Sequence, residues 1–154
     1  MAELAAAPRI PRSLALCVAA LSLAVAYAHF AFAASHFEDW WAYGVFFVAA
    51  GNLQALFACL VIWRPRPWLA LAGIAGNLAI LVVYVLSRTA GVPLGPHARV
   101  VEDAGTVDWL SAAGEVAIIA LLIAMLEGRP RRLLVNALMA LGALAWLLRL
   151  TGNL

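Results

Sequence analysis

The 154-residue chain has no lysine, only two cysteines and little charge of either sign. Charged residues make up 12% of it, against the roughly 25% usual in a soluble domain, which excludes a water-facing globular surface. Cys17 and Cys59 both fall in apolar segments, far from any CxxC or zinc-ligand spacing, and read as small hydrophobes. No serine stands in a GxSxG context, and Gly91 and Gly95 lack the lysine and helix of a phosphate loop, so neither a nucleophile elbow nor a nucleotide site is visible. The net charge of +2 is too small and too divided to neutralise many phosphates, which excludes nucleic acid as a partner. What is abundant is apolar surface: 66% hydrophobic residues and a mean hydropathy of +0.98 describe a chain built for lipid.

Breaks in hydropathy at 35–39, 64–67, 88–108 and 127–132 leave five apolar segments, at about 13–34, 40–63, 67–87, 109–126 and 133–149. Each is near the ~17 to 25 residues that a transmembrane helix needs. The pattern predicts an all-α integral membrane bundle of about five transmembrane helices, four if the last segment does not span, in a single domain over 1–154. The first segment follows Arg9 and Arg12 as a signal peptide would, but its apolar run from Leu14 to Ala34 is long enough to span and is read as a retained helix.

Orientation follows from arginine, which is retained on the cytoplasmic side. Arg9, Arg12, Arg64, Arg66, Arg129, Arg131 and Arg132 fall on one side of the alternating connections. Arg88, Arg99 and Arg149 fall on the other, with Glu38, Asp39, Glu102, Asp103 and Asp108. The expectation is a multi-pass protein of a cell membrane, the bacterial inner membrane, with a cytoplasmic N-terminus. Trp63 and Trp68 would then mark the inner interface, and Trp40, Trp41, Trp109 and Trp146 the outer one.

The short, proline-stiffened turn from Trp63 to Trp68 predicts a tight antiparallel hairpin of the second and third helices. Gln54 and Asn77 lie equally far from its centre and should face one another near mid-bilayer as an interface pair, with Gly51, Gly73 and Gly76 as small neighbours on that surface.

The residues that could carry chemistry gather toward the outer side. His29 lies about one turn inside the end of the first helix and Glu115 about two turns into the fourth. A charge at such depth costs roughly 2.5 to 3.5 kcal/mol on insertion scales, so Glu115 needs a partner or a proton. Arg88 and His29 are the candidates, and the three side chains are expected to approach one another. His36, Glu38, His97 and Glu102 complete the candidate outer site, with the segment from Ser87 to Asp108 either a solvated connection or a cap folded over the helix ends. His29, His36 and Glu115 are the candidate metal ligands, although His29 and His36 sit about 10 Å apart on an unbroken helix and no spacing specifies a metal. A haem between two histidines would need facing residues on separate helices.

His36-Phe37-Glu38-Asp39-Trp40, Gly44-Val45-Phe46-Phe47 and the run from Ser87 to Pro96, SRTAGVPLGP, together with the preceding His29, resemble a group of uncharacterised bacterial multi-spanning membrane proteins. The likeness covers about three quarters of the chain and implies a membrane protein with shared polar residues on its outer face. It implies no activity, substrate or cofactor. The chain departs from the group in carrying Ala34-Ser35 where a proline and an acidic residue are expected.

Three classes of function remain. The first is a small accessory subunit that binds a membrane-protein partner or a second copy of itself. The second is an outward-facing sensor or enzyme that binds a metal, proton or small ligand through its His/Glu/Arg cluster. The third is a small oligomeric transporter, for which five spans show no inverted repeat.

Overall fold

The structure, a computed structural model, describes residues 11–151. Arg9, one of the arginines used to orient the chain, lies outside the described residues. Among those described the fold is all-α: α1 (Arg12–Asp39), α2 (Trp41–Trp63), α3 (Pro67–Thr89), α4 (Thr106–Met125) and α5 (Gly128–Leu150). Helices α1 to α4 are each long and apolar enough to cross a membrane.

Helix ends follow local chemistry. Arg64 and Arg66 each precede a proline and adopt non-helical backbone, which stops α2 and sets up Pro67 at the first turn of α3. At the start of α4, Asp108 Oδ2 accepts the Gly105 N–H at 2.8 Å, capping the helix with an acid on its positive end. Gly128, at φ +61°, turns the chain from α4 into α5.

One expected boundary moves. The sequence predicts that the first helix stops near Ala34, but α1 runs on to Asp39, and a single extended residue, Trp40 (φ −169°, ψ 135°), separates it from α2. Residues 35–39 are polar yet contain neither glycine nor proline, so the break in hydropathy marks the edge of the apolar environment and not the end of the helix.

With so short a link, α1 and α2 lie against each other along their lengths. Ala15, Ala19, Ser22, Ala26 and Ala33 of α1 and Gly44, Ala50, Gly51 and Ala58 of α2 are all buried, the small-residue contact that lets membrane helices approach closely. A Cβ on Gly44 would run into the Phe37 ring, and one on Gly51 into the Phe30 ring. Helix α1 also packs on α4, and α3 on α4, around a core that includes Val18, Val61, Ile118, Leu122 and Leu126. Among the described residues, helix α5 packs on α4 alone of the helices.

The four helices therefore form a ring in chain order, and its weakest side is the one expected to be tightest. Helices α2 and α3 meet sparsely. Gly51 is taken up by Phe30 of α1, Gly73 by Phe57 and Leu122, and Gly76 faces open space, so the glycines do not form one shared surface. Across this seam Gln54 Nε2 donates to Asn77 Oδ1 at 2.9 Å, and Asn77 Nδ2 donates to the Gly73 carbonyl at 2.7 Å. The Phe57 ring of α2, set against Gly73 of α3, stands between the backbones while the amides bridge the gap.

Candidate functional site

The end of the bundle that carries Trp40 and the α3–α4 connection is termed distal. There all four helices of the ring diverge around a cavity of about 350 Å³. Its walls combine an apolar body with a few convergent polar groups, the usual constitution of a small-molecule site.

Helix α1 contributes His29 and His36. The ring nitrogen Nδ1 of His29 lies 2.9 Å from the Val25 carbonyl, a bond only an N–H can make, so in the neutral ring Nε2 carries the lone pair. That Nε2 points at Glu115 Oε1 of α4 across 4.0 Å, beyond hydrogen-bond length. Both side chains are almost fully buried, at 6% and 2% exposure. Phe47 of α2 stacks on His36 at 3.8 Å between ring centres and tilts against His29 at 5.6 Å, fixing both rings. Two further polar atoms among the cavity's lining residues, Tyr84 Oη and Arg88 Nε of α3, are buried without a hydrogen-bond partner among the described residues.

Arg88 does not reach Glu115. Its guanidinium bonds Glu102 at 3.0 Å and the Asp103 carbonyl at 2.7 Å, and pairs with Asp108 at 3.3 Å. These carboxylates stand at the rim, at 46% and 41% exposure, and an arginine at a helix end meets them without being drawn into the bundle. The expected triad is thus a pair, His29 with Glu115, beneath a separate tie of Arg88 to the connection.

That connection folds back over the helix ends. Tyr43 donates its hydroxyl to the Leu94 carbonyl at 2.5 Å, Arg99 N–H bonds the Val92 carbonyl at 2.8 Å, and Glu102 N–H bonds the Ser87 carbonyl at 3.1 Å. Gly91 (φ +70°) lies against the backbone of Arg99, and Gly95 (φ +87°) against the rings of Trp40 and Tyr43; a side chain at either would be strained and crowded. At this end of the bundle His36 stacks on Phe47, Gly44 receives Phe37, and Ser87, Arg88, Gly91 and Gly95 anchor the cap.

Of the predicted site residues, His29, His36, Arg88, Glu102 and Glu115 line the cavity, whereas Glu38 and His97 are exposed outside it. His97 sits on the outer turn of the cap, where its carbonyl accepts the Val100 N–H. His29 and His36 share one continuous helix, so they can neither chelate one ion together nor sandwich a haem. Among the described residues no three His, Cys, Asp or Glu side chains gather as a metal site. Tyr43, Tyr84, Ser111 and Asp108 also line the cavity, although the sequence singles out neither tyrosine, gives Ser111 no nucleophile context and gives Asp108 no role beyond its charge. Helical spacing carried the signal: Tyr84, Ser87 and Arg88 on α3, and Asp108, Ser111, Ala112 and Glu115 on α4, recur at three and four residues and mark one face of each helix.

Compared with known protein families, with curated proteins and with solved structures, the chain matches none. The chemistry must be read from the arrangement itself. The 4.0 Å interval between a histidine lone pair and a carboxyl group is too long to close as a hydrogen bond, and a hydroxyl or amide set to one side of it could donate to one and accept from the other.

Proposed function

We propose that this multi-pass membrane protein binds a small ligand in its distal cavity, with the distal end facing away from the cytoplasm. One observation carries the reading. Glu115 is 2% exposed and lines the cavity, yet the nearest charge-bearing partner among the described residues is His29 at 4.0 Å. Buried polar groups in folded proteins are almost always hydrogen-bonded, and ionisable groups at membrane depth mark function more often than packing. The orientation rests on the arginines at the opposite end, Arg64, Arg66, Arg129, Arg131 and Arg132.

Native mass spectrometry of protein purified in mild detergent tests the reading. The expected result is a retained small-molecule adduct that E115Q loses while keeping its fold. A wild-type protein without adduct, or an adduct that E115Q retains in full, overturns it.

A second reading, a subunit that binds a membrane-protein partner or another copy of itself, is favoured by α5. Among the described residues that helix packs on α4 alone, and it exposes Leu133, Met139, Leu141, Leu144, Trp146 and Leu147. Truncation before Gly128 should then abolish co-purification of the partner or of a tagged second copy; an unchanged assembly sinks this alternative.

A further inference from the structure

The distal side of the cavity is tied down, and the side along the α2–α3 seam is not. At the distal end the cap is held by Tyr43, Arg88 and the Ser87 carbonyl, with Gly95 pressed onto Trp40 and Tyr43. Along the bundle, the seam between α2 and α3 contains a second cavity of about 430 Å³, lined by apolar side chains such as Leu53 and Phe57 apart from Gln54 and Asn77, which bond each other. Phe46, Ile80 and Val83 line both cavities, so the two are neighbours with these side chains between them. From Gly73 to Arg88 this path runs about 22 Å at 1.5 Å per residue, most of the ~30 Å hydrocarbon thickness.

We infer that the ligand is lipid-borne: a single-chain amphiphile that enters through the α2–α3 seam, seats a small uncharged, hydroxyl- or amide-bearing head beside His29, Tyr84 and Glu115, and leaves its tail in the seam. The inference rests on the distal cavity being a binding site and adds what occupies it and by which route. A compact head suits a cavity at the lower end of the ~300 to 1,000 Å³ range of ligand sites. An anionic head is disfavoured, because Glu102, Asp108 and Glu115 all line the cavity against one guanidinium already bonded to Glu102 and paired with Asp108. A hydroxyl or amide supplies both donor and acceptor, matching the His29 lone pair, the Glu115 carboxyl group and the unpartnered Tyr84 Oη and Arg88 Nε. Tail burial adds little affinity, since bilayer lipid is as apolar as the seam. The head contacts decide occupancy, and the seam decides access.

Two monoacylglycerol probes test this in phosphatidylcholine vesicles containing the full-length protein, one with a photoactivatable group at the head and one at the tail end, with labelled peptides mapped by mass spectrometry. The expected result is head labelling around Tyr84, Ser111 and Glu115 and tail labelling around Leu53, Phe57 and Gly76, both competed by unlabelled monoolein. E115Q should weaken both. G76L, which adds bulk where a Cβ meets nothing within 4 Å, should abolish tail labelling in the seam and slow head labelling. Tail label spread evenly over the lipid-facing helices, with head labelling intact and unaffected by G76L, overturns the lipid route and leaves the distal site standing. Seam labelling that E115Q does not change, with no head labelling of the cavity, overturns the distal site itself. No competable labelling by either probe overturns both.

Discussion

Replacing Glu115 by leucine separates a functional carboxyl from a structural one. The side chain is buried, its one close polar neighbour is 4.0 Å away, and leucine is of similar size, so E115L removes a polar group with no hydrogen bond among the described residues and leaves no cavity. An unsatisfied buried polar group costs about 1 to 3 kcal/mol. Against this stands any attraction to His29, and polar contacts between membrane helices average about 0.6 kcal/mol. His29 keeps its bond to the Val25 carbonyl in either case. The balance predicts that ligand-free E115L is more stable than wild type by roughly 0.5 to 2.5 kcal/mol while losing the ligand, the exchange of stability against activity expected at a functional site. Reversible unfolding of delipidated protein in mixed micelles, followed by tryptophan fluorescence, measures the first part, and native mass spectrometry the second. An E115L protein destabilised by more than about 1 kcal/mol would refute the argument and make the carboxyl group a structural tie to His29.

The seam offers a second measurement. A double-mutant cycle of Q54L and N77L should give a coupling of about 0.6 to 1.7 kcal/mol, in the range of interhelical hydrogen bonds in membranes, and a coupling near zero would mean that the 2.9 Å bond is not maintained. At the cap, G95A places a side chain at φ +87° against Trp40 and Tyr43, and should cost about 1 to 3 kcal/mol of local stability. Hydrogen exchange across residues 90–105 reads this directly, and unchanged protection there would show that the cap does not depend on that turn.

The spanning helices could be located from sequence because apolar run length is set by bilayer thickness, and the Gln54–Asn77 bond follows from counting along two helices of equal rise from one turn. Hydropathy, however, reports environment and not backbone, which is why α1 outruns its apolar segment by five residues to Asp39. Which helix a glycine serves depends on where the nearest aromatic lands, and Phe30 and Phe57 settled that for Gly51 and Gly73 in ways no local pattern encodes. The partners of Arg88 were equally hidden. They depend on the path of a connection whose direction is set by positive φ at Gly91, Gly95 and Arg99, and that path carries Glu102 inward and His97 outward.

The one-residue link at Trp40 bears on how such a chain is made. Helices emerging in order would find α1 and α2 already paired, since nothing but Trp40 separates them and theirs is the most extensive helix contact. Helices α3 and α4, joined by the long connection, form a second pair, and α1 against α4 joins the two. Association of preformed helices inside the bilayer then has one docking step and one closing step, and the closing step at α2 and α3 rests largely on a single amide bond. Assembly thus finishes at the same edge through which a lipid-borne molecule would pass, so the last contact made during folding is also the first available to open.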